Sequence, residues 1–370
     1  MAFPERYSLH EQEWDSYQDI RNDFEWEVPE KFNIASYCCD RWANNGSDVA
    51  ILGENEQRKM TTYSFEKLKN VTNQVANHLR NVGVSKGTRV GVNLSQRPET
   101  IISHLAVWKL GAVSVPLSTL FGPEALKYRL GDCDAEVIIA DSSNIDEVRE
   151  VKDQLQDLKE LIFVGEGLLK NQETRFTDVR SKSSPRLDGV ETNAEEKAII
   201  AYTSGTTGQP KGVVHPHRSL IGSLPVFLTA FCNLELREDD VFWTPSEWAW
   251  IGTIGAMVFP ALFYGKPVVA YNSERFESKR TVELIDQYGI SNVLLHPTSL
   301  RKMKQHDIDE FGFDVDSVRV VTTGGEEVGE SIVKWVSDAF NGAVLHEAYG
   351  QTEINGIVSE CTQLFDKKQG

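Results

Sequence analysis

Residues 201–217, AYTSGTTGQPKGVVHPH, concentrate the groups that an anion site needs. Glycines at 205, 208 and 212 let backbone N–H groups approach an anion closely. The hydroxyls of Tyr202, Thr203, Ser204, Thr206 and Thr207 can turn toward its oxygens, and Lys211 adds a mobile positive charge. That is the chemistry of a phosphate loop. A Walker A loop is excluded, because Lys211 lies between Pro210 and Gly212 instead of following Gly and preceding Ser or Thr. The G-x-G-x-x-G pattern of dinucleotide folds and kinases is excluded too, since residue 203 is threonine.

The segment TSGTTGQPKG resembles the Ser/Thr/Gly-rich signature of the AMP-forming acyl-CoA synthetases and their adenylating relatives. Tyr349-Gly350-Gln351-Thr352-Glu353 is similar to the aromatic-x-Gln-Thr-Glu segment of the same family. The resemblance implies that Tyr349 packs against adenine, Thr352 donates to the α-phosphate and Glu353 coordinates Mg²⁺. The residue types suit those tasks: a ring offers a stacking face, a hydroxyl meets a phosphate oxygen, and a carboxylate is a hard ligand for magnesium. Gly324-Gly325-Glu326-Glu327-Val328 resembles the adenine-contacting loop, often Gly-Glu-Pro-Leu, with Glu327 and Val328 as departures. In isolation Glu326 and Glu327 read equally well as acidic residues at a helix N-terminus. The nucleotide site implied by the resemblance thus comprises Thr203, Ser204, Gly205, Thr206, Thr207, Gly208, Lys211, Gly325, Glu326, Glu327, Tyr349, Gly350, Gln351 and Thr352.

Trp243-Thr244-Pro245-Ser246-Glu247-Trp248-Ala249-Trp250 is similar to the family segment that lines the acyl pocket, usually Asp-x-Gly-Trp, with Glu247 and Ala249 as departures. Trp248 and Trp250 beside Gly252 and Gly255 would form an apolar slot, although ordinary core packing accounts for the same residues. In acetate-specific members a bulky Trp occupies the position of Gly350. Glycine is therefore expected to leave acyl-pocket volume empty for an acid longer than acetate, and Gly350→Trp to shift preference toward acetate.

The implied reaction is attack of a carboxylate on the α-phosphorus of Mg-ATP, giving an acyl-adenylate and pyrophosphate, followed by displacement of AMP by the thiol of coenzyme A. Lys211, Thr352 and Glu353 would carry the catalysis by orientation and charge neutralisation. His215 and His217 need not act as bases, because the substrate is already an anion. Two alternatives stay open: delivery of the acyl-adenylate to a carrier protein or another acceptor, and a non-catalytic nucleotide-binding remnant.

The elements that must position these residues alternate. Helices are expected over residues 64–83, 98–111, 124–130 and 145–155, and strands over 89–94, 137–140 and 161–164. After the phosphate loop, strands at 292–295, 317–322 and 343–347 alternate with helices at 282–288, 297–304 and 328–340. The alternation predicts an α/β fold of helix-covered, mostly parallel sheets, and the resemblance makes it the large N-terminal domain of an adenylate-forming enzyme, running over residues 1–370. Two subdomains are expected near 60–190 and 191–360, after an aromatic-rich arm over 1–60, with 165–197 as an aperiodic surface connection. The chain ends soon after the Glu353 motif, so C-terminal truncation and loss of the family's mobile C-terminal domain are expected.

Composition sets the remaining bounds. The 370 residues are 40% hydrophobic and 25% charged, ordinary for a globular chain. A net charge of -17 repels nucleic acid and anionic membrane, so neither is an expected partner. Five cysteines form no CxxC pair and the first residues have no apolar h-region, which points to a reducing, cytoplasmic setting. The apolar stretch 254–270 is broken by Pro260, Gly265, Lys266 and Pro267, which predicts a buried segment and not a membrane span.

Overall fold

Strand sequences such as Val137–Asp141 and Val113–Pro116 are buried at every position, the pattern of parallel strands covered on both faces. The computed structural model describes residues 5–45, 48–54, 59–203, 208–272 and 275–365. In chain order its strands are β1 (Val49–Glu54), β2 (Met60–Ser64), β3 (Arg89–Asn93), β4 (Val113–Pro116), β5 (Val137–Asp141), β6 (Glu160–Val164), β7 (Glu173–Arg175) and β8 (Lys197–Thr203). They continue as β9 (Lys211–Pro216), β10 (Phe242–Trp243), β11 (Val268–Ala270), β12 (Asn292–Leu294), β13 (Val320–Gly324), β14 (Val344–Gln351) and β15 (Asn355–Ser359).

These strands form two sheets. One has the order β7-β6-β5-β3-β4-β8-β9 and is parallel except for the β8–β9 hairpin. The other has the order β15-β14-β13-β12-β10-β11-β1-β2 and is parallel except at its two hairpin edges. Sheet membership cuts across the expected division near residue 190: β8 and β9 complete the first sheet, while β1 and β2, from the N-terminal part, edge the second.

Helices Phe65–Asn81, Pro98–Lys109, Ser219–Val226 and Phe259–Phe263 contribute to one central core with residues of both sheets, including Val92 and Ile139 from the first and Phe242 and Val268 from the second. Outer helices cover the far faces. Leu126, Leu130 and Val148 pack on Ile138 and Leu161, and Val282, Ile285 and Val336 pack on Val293, Val321 and Leu345. The local reasons are ordinary. The Ser64 hydroxyl caps the helix Phe65–Asn81 by accepting from the Lys67 N–H, and Pro98 begins the helix Pro98–Lys109, where its missing N–H costs nothing. Trp108 anchors the centre, fully buried with its indole N–H donating to the Ala198 carbonyl at 2.8 Å.

The stretch 254–270 is mostly buried core, and no helix among the described residues is long and apolar enough to cross a membrane. The connection 165–197 is not aperiodic throughout, because β7 and the helix Phe176–Lys182 lie within it. β7 has only three residues, too short for a period-2 pattern to show.

All five cysteines are buried. Burial pushes Cys39 up to about 12 and Cys133 and Cys361 up to about 11, and holds Cys38 and Cys232 well above the ordinary thiol range. Since the thiolate is the reactive form, the native chain is expected to resist a disulfide reagent at pH 8 and to release five equivalents once denatured. Rapid modification of the folded chain would contradict this.

Candidate active site

The phosphate-loop segment lies between β8 and β9, which pair antiparallel with Thr203 opposite Lys211. Its base is tied down by two tyrosines. Tyr128 Oη donates to the Pro210 carbonyl at 2.9 Å, and Tyr202 Oη donates to Asp132 Oδ2 at 2.7 Å. Tyr202 is therefore not one of the hydroxyls free to meet an anion, and burial together with Asp132 holds its phenol far above its ordinary range. Thr203 is half-buried and Lys211 exposed at the mouth of the hairpin. Gly208 has φ +113°, a conformation that glycine reaches without strain. Ser204, Gly205, Thr206 and Thr207 lie outside the described residues. β9 follows the loop directly, and the next helix begins at Ser219.

The second and third motifs stand where β13 and β14 end, side by side in the other sheet. A Cβ on Gly324 would lie 2.5 Å from the Ala348 carbonyl oxygen, so only glycine permits this approach of the two strands. Gly325 follows at φ +93°. Glu326 and Glu327 are exposed, and Glu326 pairs with Arg301 at 2.9 Å. Neither supports the helix dipole, because the helix Glu330–Ala339 is capped at Gly329 and Glu330 fills its first turn. Tyr349 is 53% exposed, with Gln351 Nε2 donating to its hydroxyl at 2.8 Å. That exposure leaves a ring face open to a planar ligand.

His215 shows how the two sheets meet at the site. It lies on β9, is 5% exposed, and burial pushes its imidazole below the ordinary range, while the Thr352 backbone and the Glu353 carboxylate pull the other way. The phosphate hairpin therefore touches the Thr352-Glu353 segment through His215, a histidine not needed as a base. His217 is fully buried, accepting from the Ile34 N–H at 3.3 Å on Nδ1. Glu353 is exposed, and no group of three or more acidic, His or Cys side chains among the described residues could hold a metal ion. One free carboxylate fits magnesium delivered with a nucleotide, because that ion takes one or two protein oxygens and completes its shell with phosphates and water.

A cavity of about 620 Å³ opens between these elements. Gly324, Gly325, Tyr349, Gly350, Gln351 and Thr352 line one part, and Val226, Phe231, Ile251, Ala256 and Leu294 another. Gly255 is on its wall, and Trp250, 66% exposed, stands on it as well. Trp248 is not on the wall; it is 2% exposed within the central core, so its apolar character serves packing. Gly350 borders the cavity, but the space its side chain would take is not cavity. A Cβ there would lie 2.4 Å from the Asn355 carbonyl oxygen, which corrects the expectation that this glycine vacates acyl volume. Asn355, which the sequence reading passed over, holds a left-handed φ of +60° and donates from Nδ2 to the Ser219 carbonyl at 3.2 Å. The Asn355-Gly356 pair is a turn signal that could have disclosed the β14–β15 hairpin.

Loops at the carboxyl ends of parallel strands around one cavity define a ligand-binding α/β protein. The sequence matches the model of the AMP-binding enzyme family over residues 39–370, and the chain belongs to that family. It is similar to the mitochondrial acyl-coenzyme A synthetase ACSM3 of Rattus norvegicus, at 28% identity over 92% of this chain and 59% of that protein. The acetyl-coenzyme A synthetase of Bacillus subtilis gives the same identity and the same coverage of both proteins. The chain thus spans about three-fifths of the length of these curated relatives. A Brucella canis acyl-CoA synthetase structure superposes with a TM-score of 0.85 at 26% identity, over 96% of this chain and 66% of that one. An anthranilate CoA ligase, with a TM-score of 0.79 at 23% identity over 90% of this chain and 62% of that one, shares the fold. The two helix-flanked, mostly parallel sheets correspond to the N-terminal domain of adenylate-forming enzymes.

Proposed function

We propose that this chain forms the nucleotide- and acid-binding part of an AMP-forming acid–thiol ligase. It activates a carboxylic acid larger than acetate as its adenylate before transfer to coenzyme A. The observation that carries this reading is the continuity of one cavity from Gly325, Tyr349 and Thr352 to Ile251, Gly255 and Leu294, which lets a nucleotide and an apolar acid share one space. With the Gly350 argument withdrawn, the case for a larger acid rests on the volume and apolar lining of that cavity.

In this reading Tyr349 stacks on adenine, the N–H groups near Gly325 border the base, and Thr352 donates to the α-phosphate. Lys211 and the hairpin donors hold the distal phosphates, so the carboxylate meets phosphorus in a fixed orientation. Magnesium, held by Glu353 and the phosphates, neutralises phosphate charge when bound. The buried thiols suit a reducing compartment.

Calorimetric titration with AMP tests the nucleotide half, and acyl-hydroxamate formation from ATP, an acid and hydroxylamine tests adenylation. Thioester formation dependent on coenzyme A separates this reading from transfer to a carrier protein. Lys211→Ala is expected to lower ATP–pyrophosphate exchange by roughly 100-fold, the scale for losing one charge-stabilising donor. Undiminished exchange would remove Lys211 from the catalytic role.

A further inference from the structure

The cavity wall carries polar groups that the proposed reaction does not use. Thr323, at 0% exposure, and Ser246, at 8%, both line it, and neither hydroxyl oxygen has a hydrogen-bond partner. Buried hydroxyls are normally satisfied, so two orphans on one ligand cavity call for a partner. Beside Ser246 lies Glu247, also on the wall. Both of its carboxylate oxygens face a single donor, Ser118 Oγ, at 2.9 and 2.8 Å, and no cation pairs with it among the described residues. A carboxylate only accepts hydrogen bonds, and one hydroxyl proton leaves most of its lone-pair capacity open.

An unsubstituted alkyl or aryl acid would seal these groups against hydrocarbon. That would strip water from much of the carboxylate and leave the two hydroxyls, already closed to solvent, still unpaired. A hydroxyl or amino substituent meets the same groups as a donor, with Glu247 and the Ser246 oxygen accepting and the Thr323 hydroxyl free to do either. We propose that the acid activated here bears a hydrogen-bond donor, a hydroxyl or an amino group, on its tail, and that Ser246, Glu247 and Thr323 select for it. The inference rests on the ligase reading given above and narrows its substrate class. Such a site discriminates strongly, because the analogue lacking the donor leaves buried polar groups unpaired.

The test uses stable adenylate mimics, so binding is read without turnover. Sulfamoyladenosine is prepared without an acyl group and with 2-, 3- and 4-hydroxybenzoyl or the matching methylbenzoyl tails, and each is titrated calorimetrically into the unmodified chain. At least one hydroxyl isomer is expected to bind roughly tenfold or more tightly than its methyl counterpart, the scale of one hydrogen bond to a buried polar group. In Ser246→Ala/Thr323→Val that ratio is expected to fall to about twofold or less. Equal affinities within every hydroxyl–methyl pair would overturn the inference while leaving the ligase reading intact. Absence of binding by acyl-free sulfamoyladenosine would instead overturn the ligase reading. Should the double variant fail to fold, the comparison of tails on the unmodified chain decides alone.

Discussion

Replacing Gly350 with alanine is expected to destabilise the chain by about 3 kcal/mol, in the range of severe steric substitutions, and to weaken AMP binding in parallel. The added Cβ would stand 2.4 Å from the Asn355 carbonyl oxygen and 2.9 Å from both the Asn355 carbonyl carbon and the Gly356 Cα. All three are backbone atoms, so no side-chain rotation relieves the overlap. The hairpin cannot drift outward freely, because the Asn355 amide is bonded to Ser219 and a Cβ on Gly356 would already meet Val226 at 2.9 Å. β14 must therefore part from β15 at the irregularity between Tyr349 and Gly350, carrying Tyr349, Gln351 and Thr352 away from the cavity. Gly350→Trp should fare worse and gain no preference for acetate. Urea unfolding and AMP titration of both variants check this. A fully stable Gly350→Ala, or a Gly350→Trp that binds normally and turns toward acetate, would restore the reading of glycine as vacated pocket volume.

That reversal shows where sequence and structure part company. Helices and buried strands were legible because their signals are local. The period of Phe65, Leu68, Val71, Val75 and Leu79 requires a helix, and the unbroken apolar run of β5 requires a covered strand. The edges were not legible. β1 lies some two hundred residues from β11, its parallel partner in the sheet, and a strand of two residues such as β10 has no period to read. Motif residues were found by kind, but their tasks were set by neighbours far along the chain. Tyr202 joins Asp132, Glu326 joins Arg301, and Trp248 turns into the core while Trp250 stays at the cavity. The orphan hydroxyls of Ser246 and Thr323 have no sequence signature, since being unpartnered is a property of the packed surroundings.

Acid is expected to unfold the chain through two histidines at its centre. His104 is 1% exposed, edge-on to Phe259 and tilted against Trp108, with no partner on either ring nitrogen, and burial pushes it down to about 3. Burial likewise pushes His217 down to about 4, with Glu196 opposing and Lys86 adding to the effect. Unfolded, both titrate near 6.5, so below that pH the unfolded chain binds protons that the folded chain refuses. Stability is unaffected by these groups above about pH 6.5 and falls as pH drops toward their folded values, by on the order of 2 kcal/mol for each at pH 5. His104→Leu should remove one share without breaking any hydrogen bond. Urea midpoints at pH 8 and pH 5 should then lie closer together in the variant than in the parent. Identical pH slopes would show that His104 is protonated in the fold. His104 sits on the helix Pro98–Lys109, in the core shared by both sheets. Its protonation would therefore loosen the layer that holds the phosphate hairpin against the β13 and β14 loops, and nucleotide affinity should be lost over the same pH range as stability.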